Sequence, residues 1–210
     1  MAGQPPKLVN PLANARYVAS AHDLSQLPPA AGPEVAFAGR SNAGKSSAIN
    51  ALVGHVRLAF VSKTPGRTQM INFFALPRER FLVDLPGYGY AKVPEKERER
   101  WGEVISHYLA ERSSLCGLVA IMDVRHPLTP LDRQLLDWFL PGGRPVHILL
   151  TKADKLSRQQ AAKQLQAVQR EIAGSTVSAQ LFSSLNRNGV EEAAQVIESW
   201  FAAQEKEAPG

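Results

Sequence analysis

The clearest chemistry in the chain lies in nine consecutive residues, Gly39-Arg40-Ser41-Asn42-Ala43-Gly44-Lys45-Ser46-Ser47. A glycine, four residues and then Gly-Lys-Ser is the spacing of a phosphate-binding loop. The glycines let the backbone turn its N–H groups inward, which makes a nest for phosphate oxygens. Lys45 can reach the outer phosphates as a point charge, and Ser46 offers its hydroxyl to Mg2+. A helix starting at this point adds the positive end of its dipole.

Three later motifs decide which nucleotide such a loop would serve. Asp84-Leu85-Pro86-Gly87 closes an apolar run: Asp84 can hold Mg2+ through a water, and Gly87 can offer its N–H to a γ-phosphate. Thr151-Lys152-Ala153-Asp154 follows another such run. Guanine presents two adjacent donors, N1–H and the 2-amino group; one carboxylate, Asp154, accepts both, and adenine lacks the pair. The aliphatic stem of Lys152 can lie along the base. In Phe182-Ser183-Ser184 a backbone N–H could meet the guanine O6. Together the motifs favour a GTPase over an ATPase or kinase.

These residues need a scaffold that places them on one edge. Short runs, apolar on both faces, at 35–38, 71–76, 81–84, 118–124, 146–151 and 177–183 predict six mostly parallel strands. Between them, Leu131, Leu135, Leu136 and Phe139 keep helical spacing, as do Leu165, Val168 and Ile172, and Val190, Ala194, Ile197 and Phe201. Residues 95–112 add Trp101, Val104, Ile105, Tyr108 and Leu109 on one side of a helix. This alternation predicts an α/β fold, a three-layer doubly wound sheet of about six strands. Residues 1–33, rich in Ala and Pro, read as a partly ordered extension with little strand signal; the domain spans 34–203, and 204–210 read as a polar tail.

The segment 53–67 lacks acids, holds Gly54, Pro65 and Gly66, and connects the loop's helix to the next strand. A long connection beside a nucleotide is where switching occurs. Thr68 is the hydroxyl best placed to reach Mg2+, with Thr64 as its competitor. After Gly87, where a water-orienting glutamine is expected, stands Tyr88, whose phenol lacks the two-ended amide. Slow intrinsic hydrolysis, raised from outside, is therefore expected.

GRSNAGKSS at 39–47, TPGRTQ at 64–69, DLPGYGYA at 84–91, TKAD at 151–154 and FSSLNRNG at 182–189 together resemble the EngB family of translation-factor-class GTPases, over residues 16–202. The resemblance implies a GTP/GDP switch, acting as a monomer or weak associate, in late assembly of the large ribosomal subunit, with a link to cell division and septation. It extends the nucleotide contacts across the whole loop 39–47 and to Gly66, Arg67, Thr68, Gln69 and Met70. It places Mg2+ on Ser46 and Thr68 directly and on Asp84 through water, and gives Lys45, Thr68 and Gly87 the catalytic roles. Related GTPases usually carry Asn where Thr151 stands. Some use an Asn at the position of Asn42 to bind K+ in place of an arginine finger. The alternative function is a nucleotide-gated scaffold or division factor in which hydrolysis is incidental.

Composition adds a charge address. The 210 residues carry a net charge of +5, yet residues 35–78 contain no Asp or Glu and six basic residues. The remaining 18 basic and 19 acidic residues nearly cancel. Arg57, Lys63 and Arg67 are thus the candidates for rRNA phosphates. No apolar run approaches a membrane span, the N-terminus lacks a secretory signal, and the one cysteine, Cys116, suits a reducing compartment. A cytoplasmic protein without a membrane partner is expected. The five histidines show no ligand spacing, so a transition-metal site is not expected.

Overall fold

Parallel strands cannot be joined by tight turns; each needs a crossover, and the crossovers cover the two faces of the sheet. The computed structural model describes residues 10–55, 58–59, 70–89 and 95–207. Its elements run β1 (Arg16–Ala21), β2 (Glu34–Gly39), α1 (Lys45–Val53), β3 (Ile71–Leu76), β4 (Arg80–Asp84), α2 (Glu95–Glu111), β5 (Leu115–Asp123), α3 (Pro130–Phe139), β6 (Val146–Thr151), α4 (Arg158–Glu171), β7 (Val177–Leu181) and α5 (Val190–Glu207).

One seven-stranded sheet has the order β1-β3-β4-β2-β5-β6-β7. Strands β4, β2, β5, β6 and β7 pair in parallel, and β3 is antiparallel to both its neighbours. The side chains of β2 and β5 alternate between two cores. Phe37, Val119 and Ile121 meet Ile49 and Leu52 of α1 and Ile197 and Phe201 of α5. On the other face, Ala36, Leu118 and Ala120 meet Ile105 and Tyr108 of α2 and Leu135 and Phe139 of α3. Each fully buried side chain of this size contributes roughly 1.5–3 kcal/mol, so a sheet covered on both faces is strongly held. The side chain of Trp101 lies outside the described residues.

Two boundaries differ from the sequence expectation. The sheet has a seventh strand, β1, inside the segment read as a partly ordered extension with little strand signal. It pairs with β3, with a register shift between Tyr17 and Ala19 that blurs the alternation a sequence would show. Tyr17 and Val18 are exposed, as an edge strand permits. Leu12 is fully buried, and Asn10 donates to the Leu52 carbonyl at 2.8 Å, so residues from 10 onward belong to the packed domain. At the other end, α5 runs to Glu207, past residue 203. Pro209 and Gly210 are the first helix-breaking residues there.

The end of the sheet remote from the phosphate loop is fastened by a buried carboxylate. Glu34 accepts from Arg112 at 2.6 Å, Tyr108 at 2.7 Å and Ser114 at 2.8 Å. These donors offset the desolvation of a charge taken fully out of water. Cys116 is buried and donates weakly to the Glu34 carbonyl, and burial pushes its thiol up to about 12.

Candidate functional site

In an open α/β sheet, ligands bind outside the carboxyl ends of the parallel strands. There Gly39 ends β2, Asp84 ends β4, Asp123 ends β5 and Thr151 ends β6. The phosphate loop leaves β2 and closes on α1. Gly44 caps that helix with φ +101°, a left-handed conformation that is strained for any side chain. Gly44 offers no side-chain cap, so the first-turn N–H groups of Lys45, Ser46 and Ser47 receive no acceptor from it.

Lys45, the first residue of α1, pairs its ammonium with Asp84, and both side chains are nearly buried. Leu85 and Pro86 are buried behind it, and Gly87 sits against Ser41. Ser41 donates its N–H to the Tyr88 carbonyl at 2.8 Å, and Leu85 donates to the Phe37 carbonyl at 3.0 Å, so the 84–88 segment is docked on the loop. The Tyr88 hydroxyl donates to Asp132 at 3.0 Å. Burial, and then the Asp132 charge, push this phenol far above its ordinary range.

The other wall comes from β6 and β7. The Thr151 hydroxyl lies 2.5 Å from the Ala43 carbonyl and 3.1 Å from that of Met122, a single hydrogen shared between loop and sheet. Thr151 therefore ties down the phosphate loop. Lys152 donates to the Asn42 carbonyl at 2.6 Å and reaches Asp123 at 2.9 Å. Its stem thus lies across the space between loop and strand. Burial would raise the Asp123 carboxyl, but hydrogen bonds from Arg125 and Lys152 outweigh this and hold it well below the usual carboxylate range.

Asp154 accepts from the buried Ser183 hydroxyl at 2.6 Å. Phe182 donates to the Leu150 carbonyl at 2.9 Å and accepts from the Ala153 N–H at 3.1 Å. The segments 151–154 and 182–184, far apart in sequence, therefore form one ledge, with Ser184 exposed beside it. Met70 lies just before β3 and joins none of these contacts among the described residues. Thr64, Gly66, Arg67, Thr68 and Gln69 lie outside the described residues, as do Arg57 and Lys63.

Two participants escaped the sequence reading. Asp123 has the same strand-end placement as Asp84, which is the signal that could have found it. Asp132 stands three residues after Thr129, the spacing of a capping box, which reads as helix punctuation rather than as part of a site.

A loop of this kind also serves ATPases and kinases. The carboxylate-bearing ledge at the end of β6 is what sets this arrangement apart, and with it the protein is a P-loop GTPase. A model of the family described as 50S ribosome-binding GTPase matches residues 34–152. The chain is 62% identical over 198 residues to a probable GTP-binding protein EngB of Methylobacillus flagellatus, covering 93% of this chain and 96% of that one. It is 60% identical over 198 residues to the corresponding protein of Aromatoleum aromaticum, covering 93% and 92%. This chain belongs to the EngB family of GTP-binding proteins. A crystal structure of a probable GTP-binding protein engB superposes with a TM-score of 0.66 at 20% identity, covering 81% of this chain and 99% of that one. Era in complex with MgGDPNP and a 16S ribosomal RNA fragment superposes at 0.63 with 21% identity, covering 80% and 56%. At these identities the likeness concerns the fold. No described helix is long and apolar enough to cross a membrane.

Proposed function

We propose that this GTPase is a slow switch that acts in late assembly of the large ribosomal subunit, and on which normal cell division depends. The observation that carries the switch reading is the Lys45–Asp84 pair. Phosphate oxygens compete for this ammonium and a divalent cation competes for this carboxylate, so nucleotide with its metal exchanges the pair for new partners. The Ser46 hydroxyl, next in sequence to Lys45, and the Asp84 carboxylate that pairs with Lys45 are hard oxygen donors, the kind Mg2+ selects. When bound, Mg2+ supplies neutralisation of the charge that builds on the β- and γ-oxygens.

In this reading the N–H groups and Lys45 of 39–47 cradle the phosphates, and Gly87 donates to the γ-phosphate. Thr68 adds a hydroxyl to the metal, and residues 66–70 follow the nucleotide. Asp154 and Lys152 hold the base, with Ala153, Phe182, Ser183 and Ser184 shaping the ledge. Hydrolysis is slow because the residue after Gly87 is Tyr88, whose phenol lacks the two-ended amide that orients a water. The missing help comes from outside the chain. Asn42, exposed in the loop with φ +63°, is the side chain that would hold K+ there. Turnover in KCl is expected to exceed that in NaCl by about tenfold or more, on the scale of one added electrostatic stabiliser. Equal rates in the two salts remove K+ from the mechanism.

The ribosomal role is supported by the match to a family of 50S ribosome-binding GTPases and by the basic excess within residues 35–78. Density-gradient sedimentation of ribosomal particles tests it. Protein loaded with a non-hydrolysable GTP analogue is expected to travel with large-subunit precursors, and GDP-loaded protein to stay at the top. Retention should fall steeply with salt if Arg57, Lys63 and Arg67 meet phosphates. Equal behaviour of the two loaded forms would favour the scaffold reading instead.

A further inference from the structure

The carboxylate of Asp132 is fully buried and has an uneven set of partners. Its Oδ2 accepts from the Thr129 N–H at 2.9 Å and the Thr129 hydroxyl at 2.8 Å, which completes the capping box of α3. Its Oδ1 accepts from the Tyr88 hydroxyl at 3.0 Å. The Nε of Arg40 stands 3.5 Å from the same Oδ1, within reach of its charge but without the alignment of a hydrogen bond. That Nε–H is buried and makes no hydrogen bond. A buried donor left unpaired is costly, and buried polar groups are almost always satisfied. One acceptor thus faces two donors and serves one of them.

The two donors belong to the two segments docked on each other at the site. Arg40 is the second residue of the phosphate loop. Tyr88 directly follows Gly87. The backbone reinforces the contact with α3: Gly89 takes φ +73°, and a Cβ there would stand 2.7 Å from the Leu131 side chain. The 87–89 turn therefore lies directly on the start of α3.

We propose that Asp132 is a positioning residue for the GTPase: it latches the turn after Gly87 to α3 through Tyr88, and exchanges Tyr88 for the Nε–H of Arg40 when that turn moves. The exchange keeps the buried carboxylate satisfied in both arrangements, so the loop has two discrete positions of similar energy. The latched position is the one in which Lys45 is spent on Asp84. A γ-phosphate draws Lys45 away and asks Gly87 to turn its N–H inward, so it favours the released position. This inference rests on the GTP-switch reading above.

The test is a cycle of Tyr88→Phe, Arg40→Met and the double variant. Phenylalanine keeps the ring packing and removes only the latch hydroxyl; methionine keeps an unbranched stem and removes every donor. Fluorescent GDP and a non-hydrolysable GTP analogue are titrated, and thermal midpoints are read without nucleotide. Tyr88→Phe is expected to raise the affinity for the analogue relative to GDP by roughly fivefold, the scale of one hydrogen bond. Its midpoint should stay near that of the unmodified protein, because Arg40 takes the vacated oxygen. The double variant leaves that oxygen buried and unpaired, and its midpoint should fall by about 3 °C more than the two single changes together. An unchanged analogue-to-GDP ratio in Tyr88→Phe overturns the latch. Additive midpoints overturn the exchange. Binding of both nucleotides by the unmodified protein, measured in the same series, reports separately on the GTP-switch reading.

Discussion

Lys45→Ala is expected to lower single-turnover GTP hydrolysis by about 10²–10³-fold, the scale of removing one preorganised charge from a phosphoryl-transfer site. Lys45 opens α1 directly beside the loop, and its ammonium is nearly buried, so no surface cation can take its place. The same change strips Asp84 of its partner. A buried carboxylate without its cation is strongly destabilising, and the nucleotide-free protein should melt at a lower temperature. That second effect could pass for the first. Lys45→Ala combined with Asp84→Ala separates them: it removes both charges, so the midpoint should recover in part while hydrolysis stays lost. Rapid-quench kinetics at saturating GTP and a thermal melt of each variant give both readings. If Lys45→Ala hydrolyses GTP within about threefold of the unmodified protein, Lys45 has no catalytic role.

Asp154→Asn is expected to weaken GTP binding by about 10²–10³-fold and to move the preference toward xanthosine triphosphate, because a buried polar site rejects a base whose donors it cannot pair. One oxygen of Asp154 is held at 2.6 Å by the Ser183 hydroxyl, which fixes the carboxylate's rotation. The other is 3.7 Å from the Lys155 ammonium. An amide at this position turns one acceptor into a donor. Guanine then meets N–H against N–H, whereas xanthine carries a carbonyl in place of the amino group. Competition titration with the two triphosphates against fluorescent GDP reads the switch. Unchanged GTP affinity would show that Asp154 does not contact the base.

Both predictions concern residues that local sequence exposes. A phosphate loop is legible because its chemistry is confined to nine adjacent residues with a strand before and a helix after. Asp84 and Asp154 are legible for the same reason: Asp84 ends a short apolar run and Asp154 lies three residues past another, and the run's length fixes where the strand stops. The parallel strands announce themselves as runs apolar on both sides, since helices cover both faces. The strand β1 does not. As an edge strand with a bulge it presents no clean alternation, and only its pairing with β3 makes it a strand.

From the residue types and their spacing alone came the GTPase class, the phosphate and base motifs, and the three-layer α/β architecture. Each depends on interactions within one short segment or on the period of burial. Tertiary structure decided the rest. It gave Thr151 to the Ala43 carbonyl, brought Lys152 onto Asp123, spent the Tyr88 hydroxyl on Asp132, and left the Arg40 Nε–H facing an occupied acceptor. Those partners lie 29 to 108 residues apart where they cross between elements. The choice among several donors for one buried oxygen is made by packing, which no run of neighbouring residues encodes.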